Sequence, residues 1–113
     1  MVPSLVIHTP DSQLGRAGAK SFEETFKSGV GDAFALNRVI YPQIHPDCLV
    51  VLLCKNRRLR AEGQLVRLEP ATKDGRLWVT GNHIQRYNVH VQTFVRVPYR
   101  AEKLNRQGVN FIP

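Results

Sequence analysis

One stretch constrains this chain more than any other: Asp47 to Leu68, DCLVVLLCKNRRLRAEGQLVRL. An apolar run, Cys48–Cys54, is followed by a basic segment, Lys55–Arg58, and then by a second run that returns. The pattern predicts a long antiparallel hairpin at the centre of a small sheet. Cys48–Cys54 is apolar at both parities, as expected of a strand covered on both faces. The return strand places Leu59, Ala61, Gly63 and Leu65 on one face, and then Val66 and Leu68 fall on the other. That change of phase beside Gly63 predicts a bulge or a sharp coil. Strong curvature of this kind is what closing a small barrel requires.

The flanking segments build on this hairpin. Ser4–His8 reads as a first strand, closed by the turn residues Thr9-Pro10-Asp11-Ser12. Gln13–Ala19 has no periodicity and reads as loop. Ser21-Phe22-Glu23-Glu24 is a capping box, with Phe22 and Phe26 on one helical face and Gly29 and Gly31 ending the helix. A helix of two turns holds only when packed. Asp32–Tyr41 reads as a strand or as a helical turn entering one, and Ile44–Asp47 as loop. Glu69–Gly75 is turn-rich with its tip at Lys73-Asp74-Gly75, and Arg76–Thr80 is a strand. Gln85–Val97 alternates, with Tyr87, Val89, Val91, Thr93, Val95 and Val97 on one face, and predicts a half-buried strand of about eleven residues. Phe94 interrupts the polar face, which points it at the helix or another strand. Within the tail, 99–113, Val109, Phe111 and Ile112 form a candidate anchor.

The chain of 113 residues is sized for a single domain, 1–113 with its core in 4–98. The order β-α-β-β-β-β predicts an α+β fold: a small, strongly curved, mostly antiparallel β-barrel with one or two short helices. No stretch has the length of a membrane span, and the N-terminus lacks the pattern of a signal peptide. Cys48 and Cys54, six residues apart on one strand, lie too far from each other to bridge. Buried reduced thiols fit a cytoplasmic protein.

Charge narrows the partner. Residues 55–113 hold twelve basic and four acidic residues, against four basic and five acidic in 1–54. A basic half of this kind suits an anionic ligand, DNA or RNA above all, or else a solvated surface that keeps the chain dispersed. Lys55, Arg57, Arg58 and Arg60 at the hairpin tip suit phosphates, or a charged end that blocks edge-to-edge association. Arg86, Arg96, Arg100, Lys103 and Arg106 extend that basic surface. Phe34, Asn37, Tyr41 and Trp78 supply rings and an amide suited to a base pocket; alternatively the rings are core and Asn37 is a turn residue. His8, His45, His83 and His90 show no metal spacing, and no phosphate loop, nucleophile elbow or dinucleotide fingerprint is present. No cofactor is implied, and the chain reads as a binding protein rather than an enzyme.

A family resemblance runs through roughly residues 5–97. His8-Thr9-Pro10-Asp11-Ser12 resembles the turn that opens EVE domains. Ala35-Leu36-Asn37-Arg38 resembles their A-R-N segment. Cys48–Leu53 with Arg60–Val66 resembles their central strand pair, and Asn88–Val91 their late V-D-V strand. Gly31-Asp32-Ala33-Phe34 stands where those domains carry a tryptophan-containing segment. The resemblance implies a PUA-like β-barrel that binds nucleic acid, often through a pocket for a modified base. Two other classes stay open: a protein-interaction or homodimer module using a sheet edge or Val109–Ile112, and a small-ligand pocket near Asn37 and Trp78.

Overall fold

The computed structural model describes residues 4–9, 21–35, 48–54, 57–81, 84–100 and 109–112. The first strand is β1, Ser4–His8. The helix α1, Phe22–Ser28, begins at Ser21, whose hydroxyl oxygen accepts from the Glu24 amide at 3.3 Å and donates to Glu24 Oε1 at 3.2 Å. It ends at Gly29, which is left-handed with φ 71°. Only glycine fits there: a Cβ would lie 2.9 Å from the carbonyl oxygen of Val91, whose own amide donates to the Gly29 carbonyl at 2.8 Å. Val30–Ala35 then forms β2, which settles the strand alternative for the first part of the Asp32–Tyr41 stretch. Residues 36–41 lie outside the described part.

The predicted hairpin is present as β3, Leu49–Cys54, and β4, Leu59–Pro70, paired antiparallel from Leu49 opposite Gln64 to Cys54 opposite Leu59. Beyond it come β5, Thr72–Lys73, β6, Arg76–Leu77, β7, Val79–Thr80, β8, Ile84–Val91, β9, Val95–Val97, and β10, Val109–Ile112. The sheet path runs β10-β1-β3-β4-β8-β2. It is mixed: β1 lies parallel to β3, a pairing that needs a long crossover, and the crossover contains α1 and β2.

Three expectations need correction. The path is open among the described residues, with no ladder joining β10 to β2, so the sheet does not close into a barrel. The run Arg76–Thr80 is not one strand but breaks at Trp78, whose amide donates to Ala71 while its carbonyl accepts from Arg86. The long alternating strand breaks at Gln92–Phe94 into β8 and β9. There the phase inverts, so that Phe94 is buried and Val95, placed by alternation beside the core, is 59% exposed. Val109–Ile112, the candidate anchor, does attach to the sheet, pairing antiparallel with β1.

Two apolar layers flank the central strands. On one face of β3, Cys48, Val50, Leu52 and Cys54 join Leu5, Ile7, Phe22, Val89 and Phe94. On the other, Val51 and Leu53 meet Val6, with Leu49 and Tyr99 packed against them. The two cysteines are free and buried. Helix α1 docks through its phenylalanines: Phe22 to Phe26 is 6.2 Å between ring centroids and Phe26 to Phe94 is 6.4 Å. Phe94 therefore does meet the helix.

The predicted irregularity in β4 is a one-residue shift against β8, where Leu65 opposes Val91 and Arg67 opposes His90. Val66 is the extra residue. It is exposed, and beyond it Leu68 returns to the core side. Gly63 sits just before this point because β8 passes close over it: a Cβ there would lie 2.4 Å from Val91 Cγ1 and 2.7 Å from the Thr93 carbonyl oxygen. Gly63→Ala should therefore lower the unfolding free energy by about 1–3 kcal/mol, the usual cost of overpacking, read by urea denaturation. Gly81→Ala, which meets nothing within 4 Å, should stay within about 0.5 kcal/mol of the parent.

Candidate nucleic-acid interface

The basic residues do not form one surface. β4 separates them into two groups, because a strand of twelve residues spans up to roughly 35–40 Å. Arg57, Arg58 and Arg96 lie near its start, Arg96 standing opposite Ala61. Lys73, Arg76 and Arg86 lie beyond its end, where Pro70 opposes Tyr87.

The first group is engaged with the fold. Arg57 Nη1 is 2.8 Å from Glu23 Oε1, an exposed pair that ties the tip to α1. Arg58, at φ 52°, lays its guanidinium 5.0 Å from the centre of the Tyr99 ring, and Arg96 lies 5.4 Å from that of Phe22. Arg60 does not belong to a phosphate-binding tip. It is 2% exposed, with Nη2 2.9 Å from Glu62 Oε2 and Nη1 donating to the Arg100 carbonyl at 3.3 Å. As the second residue of β4 it points into the fold, and its charge is used to join β4 to the segment after β9. Lys55, Asn37 and Tyr41 lie outside the described residues, as do Lys103, Arg106, His45 and His83.

The second group surrounds Trp78, the single tryptophan of the chain. Lys73 Nζ is 5.1 Å and the Arg86 guanidinium 4.9 Å from the centre of its ring. Trp78 is half-buried and lines an open groove of about 540 Å³ with Lys73, Asp74, Arg76, Leu77 and Val79. Leu77 is 61% and Val79 45% exposed. Trp78 thus lies on the cleft side of the alternative left open by the sequence. Phe34 goes the other way: its ring packs on the main core and lies 2.8 Å from where a Gly31 Cβ would stand. The structure therefore does not bring Phe34 into a pocket with Trp78.

Local geometry explains why the tryptophan is outside. Asp74 and Gly75 both have positive φ, 55° and 77°, and make a two-residue turn between β5 and β6. The strand then jogs at Trp78. Gln85 braces the jog, its Nε2 donating to the carbonyls of Arg86 at 2.7 Å, Trp78 at 3.2 Å and Ala71 at 3.5 Å. The turn also sets Lys73 opposite Arg76. Two cations directly opposed across a hairpin repel. Among the described residues no carboxylate forms an ion pair with either, so an external anion would relieve the repulsion. Lys73 and Arg76 were not among the residues singled out from sequence. The available signal was the turn register, which puts both cations beside the one tryptophan.

A separate polar cluster sits on the β4–β8 ladder. Glu69 Oε1 accepts from Asn88 Nδ2 at 3.3 Å and lies 3.4 Å from His90 Nε2, while Arg67 is 4.0 Å from Oε2. The Asn88 hydrogen bond first, and then His90, hold the Glu69 carboxyl below its ordinary value. Among the described residues no group of histidine, cysteine and acidic side chains gathers to hold a metal ion, and no helix is long and apolar enough to cross a membrane.

Arg60→Ala should lower stability by about 2–4 kcal/mol in chemical denaturation, since it strips a buried guanidinium from its partners, and should leave oligonucleotide affinity unchanged. The Glu69 cluster carries a pH signature. A carboxyl with a depressed folded pKa adds stability that is fully present above the unfolded value and lost as pH falls through the folded one. Melting temperatures should therefore fall more steeply over that acidic window in the parent than in Glu69→Gln. Equal slopes would remove the coupling.

No family model, curated protein or solved structure matches this chain, so a functional reading rests on its own residues.

Proposed function

We propose that this chain is a nucleic-acid-binding module without catalytic activity, and that the groove at Trp78 is its principal contact surface. One observation carries the reading: the single tryptophan stands in an open groove among Lys73, Arg76 and Arg86 instead of in the core. An aromatic plate ringed by cations is the combination that engages bases and phosphates together. The unequal charge of the two halves of the chain supports the same partner. The resemblance to EVE domains and the PUA-like superfamily belongs to this proposal. The order of elements, the coiled β4 and the strand pair β3–β4 support it, whereas the open sheet path does not. A modified base as the preferred ligand is part of the resemblance too, with the pocket moved from Phe34 to Trp78.

The experiment is a titration of labelled DNA and RNA oligonucleotides, with and without modified bases, at about 50 and 200 mM salt, where phosphate contacts separate from others. Two cations on phosphates, Lys73 and Arg76, predict a slope of log affinity against log salt of about −1.4 for single strands. Lys73→Glu/Arg76→Glu should weaken binding about tenfold or more at the lower salt. Arg57→Glu/Arg58→Glu should do less, because those side chains already have partners in the fold. Absence of binding at low salt would dismiss the reading.

A further inference from the structure

We infer that the Trp78 groove takes single-stranded nucleic acid, with an unpaired base against the indole and its phosphate between Lys73 and Arg76; this rests on the nucleic-acid reading above. Three observations lead there. The first is the plate itself. Only the face of an unstacked base can meet an indole, and a duplex has already spent its base faces on its own stack. Leu77 and Val79, both exposed in the same groove, extend the plate with apolar surface that suits a base and not a sugar–phosphate rail.

The second is the opposed pair of cations. Lys73 and Arg76 flank the turn on facing strands and form no ion pair among the described residues. One phosphate placed between them turns a repulsion into two charge-assisted contacts. Lys73 sits over the indole on a flexible, exposed stem. A base arriving there exchanges an exposed cation–π contact for a stacking contact and releases the ammonium to the phosphate beside it. Arg86, on β8 between β4 and β2, remains as a flat cation at the ring.

The third is the sign of the hairpin tip. A two-stranded ribbon can enter the major groove of a duplex, but it does so tip or face first between two phosphate rails. Here the tip residue is Asp74, held in the turn with φ 55°. Its carboxylate opposes that insertion. The flank of the hairpin, where the cations and Trp78 stand, is left as the binding face.

The experiment reads both partners through one reporter, the fluorescence of Trp78. A strand of about 12 nucleotides, within the span one small domain covers, is titrated as DNA and as RNA, each also as its perfect duplex. The expected result is quenching by single strands, binding at least roughly tenfold tighter than to the matched duplex, and a loss of about 5- to 100-fold in Trp78→Leu that Trp78→Phe largely restores. The DNA and RNA arms tell which sugar the groove prefers. Binding to single and double strands alike, salt-dependent but without quenching and unmoved by Trp78→Leu, would overturn the single-strand inference and leave the broader reading standing. No binding of any strand would overturn both. Circular dichroism of each variant separates a lost contact from a lost fold.

Discussion

β4 must satisfy two different neighbours along one edge, and the sheet is built around that demand. Its first half is hydrogen-bonded to β3 on one side and to β9 on the other; its second half runs against β8. Backbone groups buried in a sheet cannot be left without partners, so the handover from β9 to β8 has to occur within a few residues. Gly63 allows the chain of β8 to cross at close range, and Val66 takes up the extra residue. Beyond the bulge β4 runs along β8 as far as Pro70, and the small hairpin that leads to Trp78 follows it.

Much of this frame was readable from the chain. The capped helix, the β3–β4 hairpin, the phase change after Gly63 and the turn at Asp74-Gly75 all depend on local chemistry: side-chain caps, alternation and positive φ. Phe94 was legible as an exception for the same reason, since an aromatic on a polar face has to find cover. What escaped was decided at longer range. Alternation from Tyr87 to Val97 continues through the break at Gln92–Phe94, because period two cannot register that the backbone has shifted its own phase. The partner of β10 is β1, about a hundred residues earlier, and no local pattern reports a pairing of that separation. Closure into a barrel failed as an expectation on similar grounds: curvature is local, whereas joining β10 to β2 is not.

The candidate site divides in the same way. Composition located the positive charge in the second half but had no means of sorting it. Arg60 and Arg58 are two residues apart and equally basic, yet one is buried against Glu62 and the other lies on a tyrosine. Arg58 stands in the turn with a positive φ, outside β4, whereas Arg60 lies within the strand between β3 and β9, and that makes the difference. Phe34 and Trp78 were equivalent as rings; the register of β2 against β8 sent one to the core, and the jog at Trp78 sent the other to the surface. Charge near an aromatic becomes informative only when the turn register that juxtaposes them is known, as with Lys73 and Arg76.

The pairing of β1 with β10 carries a consequence for how the chain is made. β10 follows β1 by about a hundred residues, so the edge of β1 that β10 covers has no strand beside it while the intervening chain is made. A strand edge waiting in that state is a template for wrong partners, and its proper one arrives only after the hairpin, the helix and the groove have been made. Folding of the sheet is then gated by the clock of elongation: the hairpin, the helix and the groove are in place well before the sheet acquires its final border.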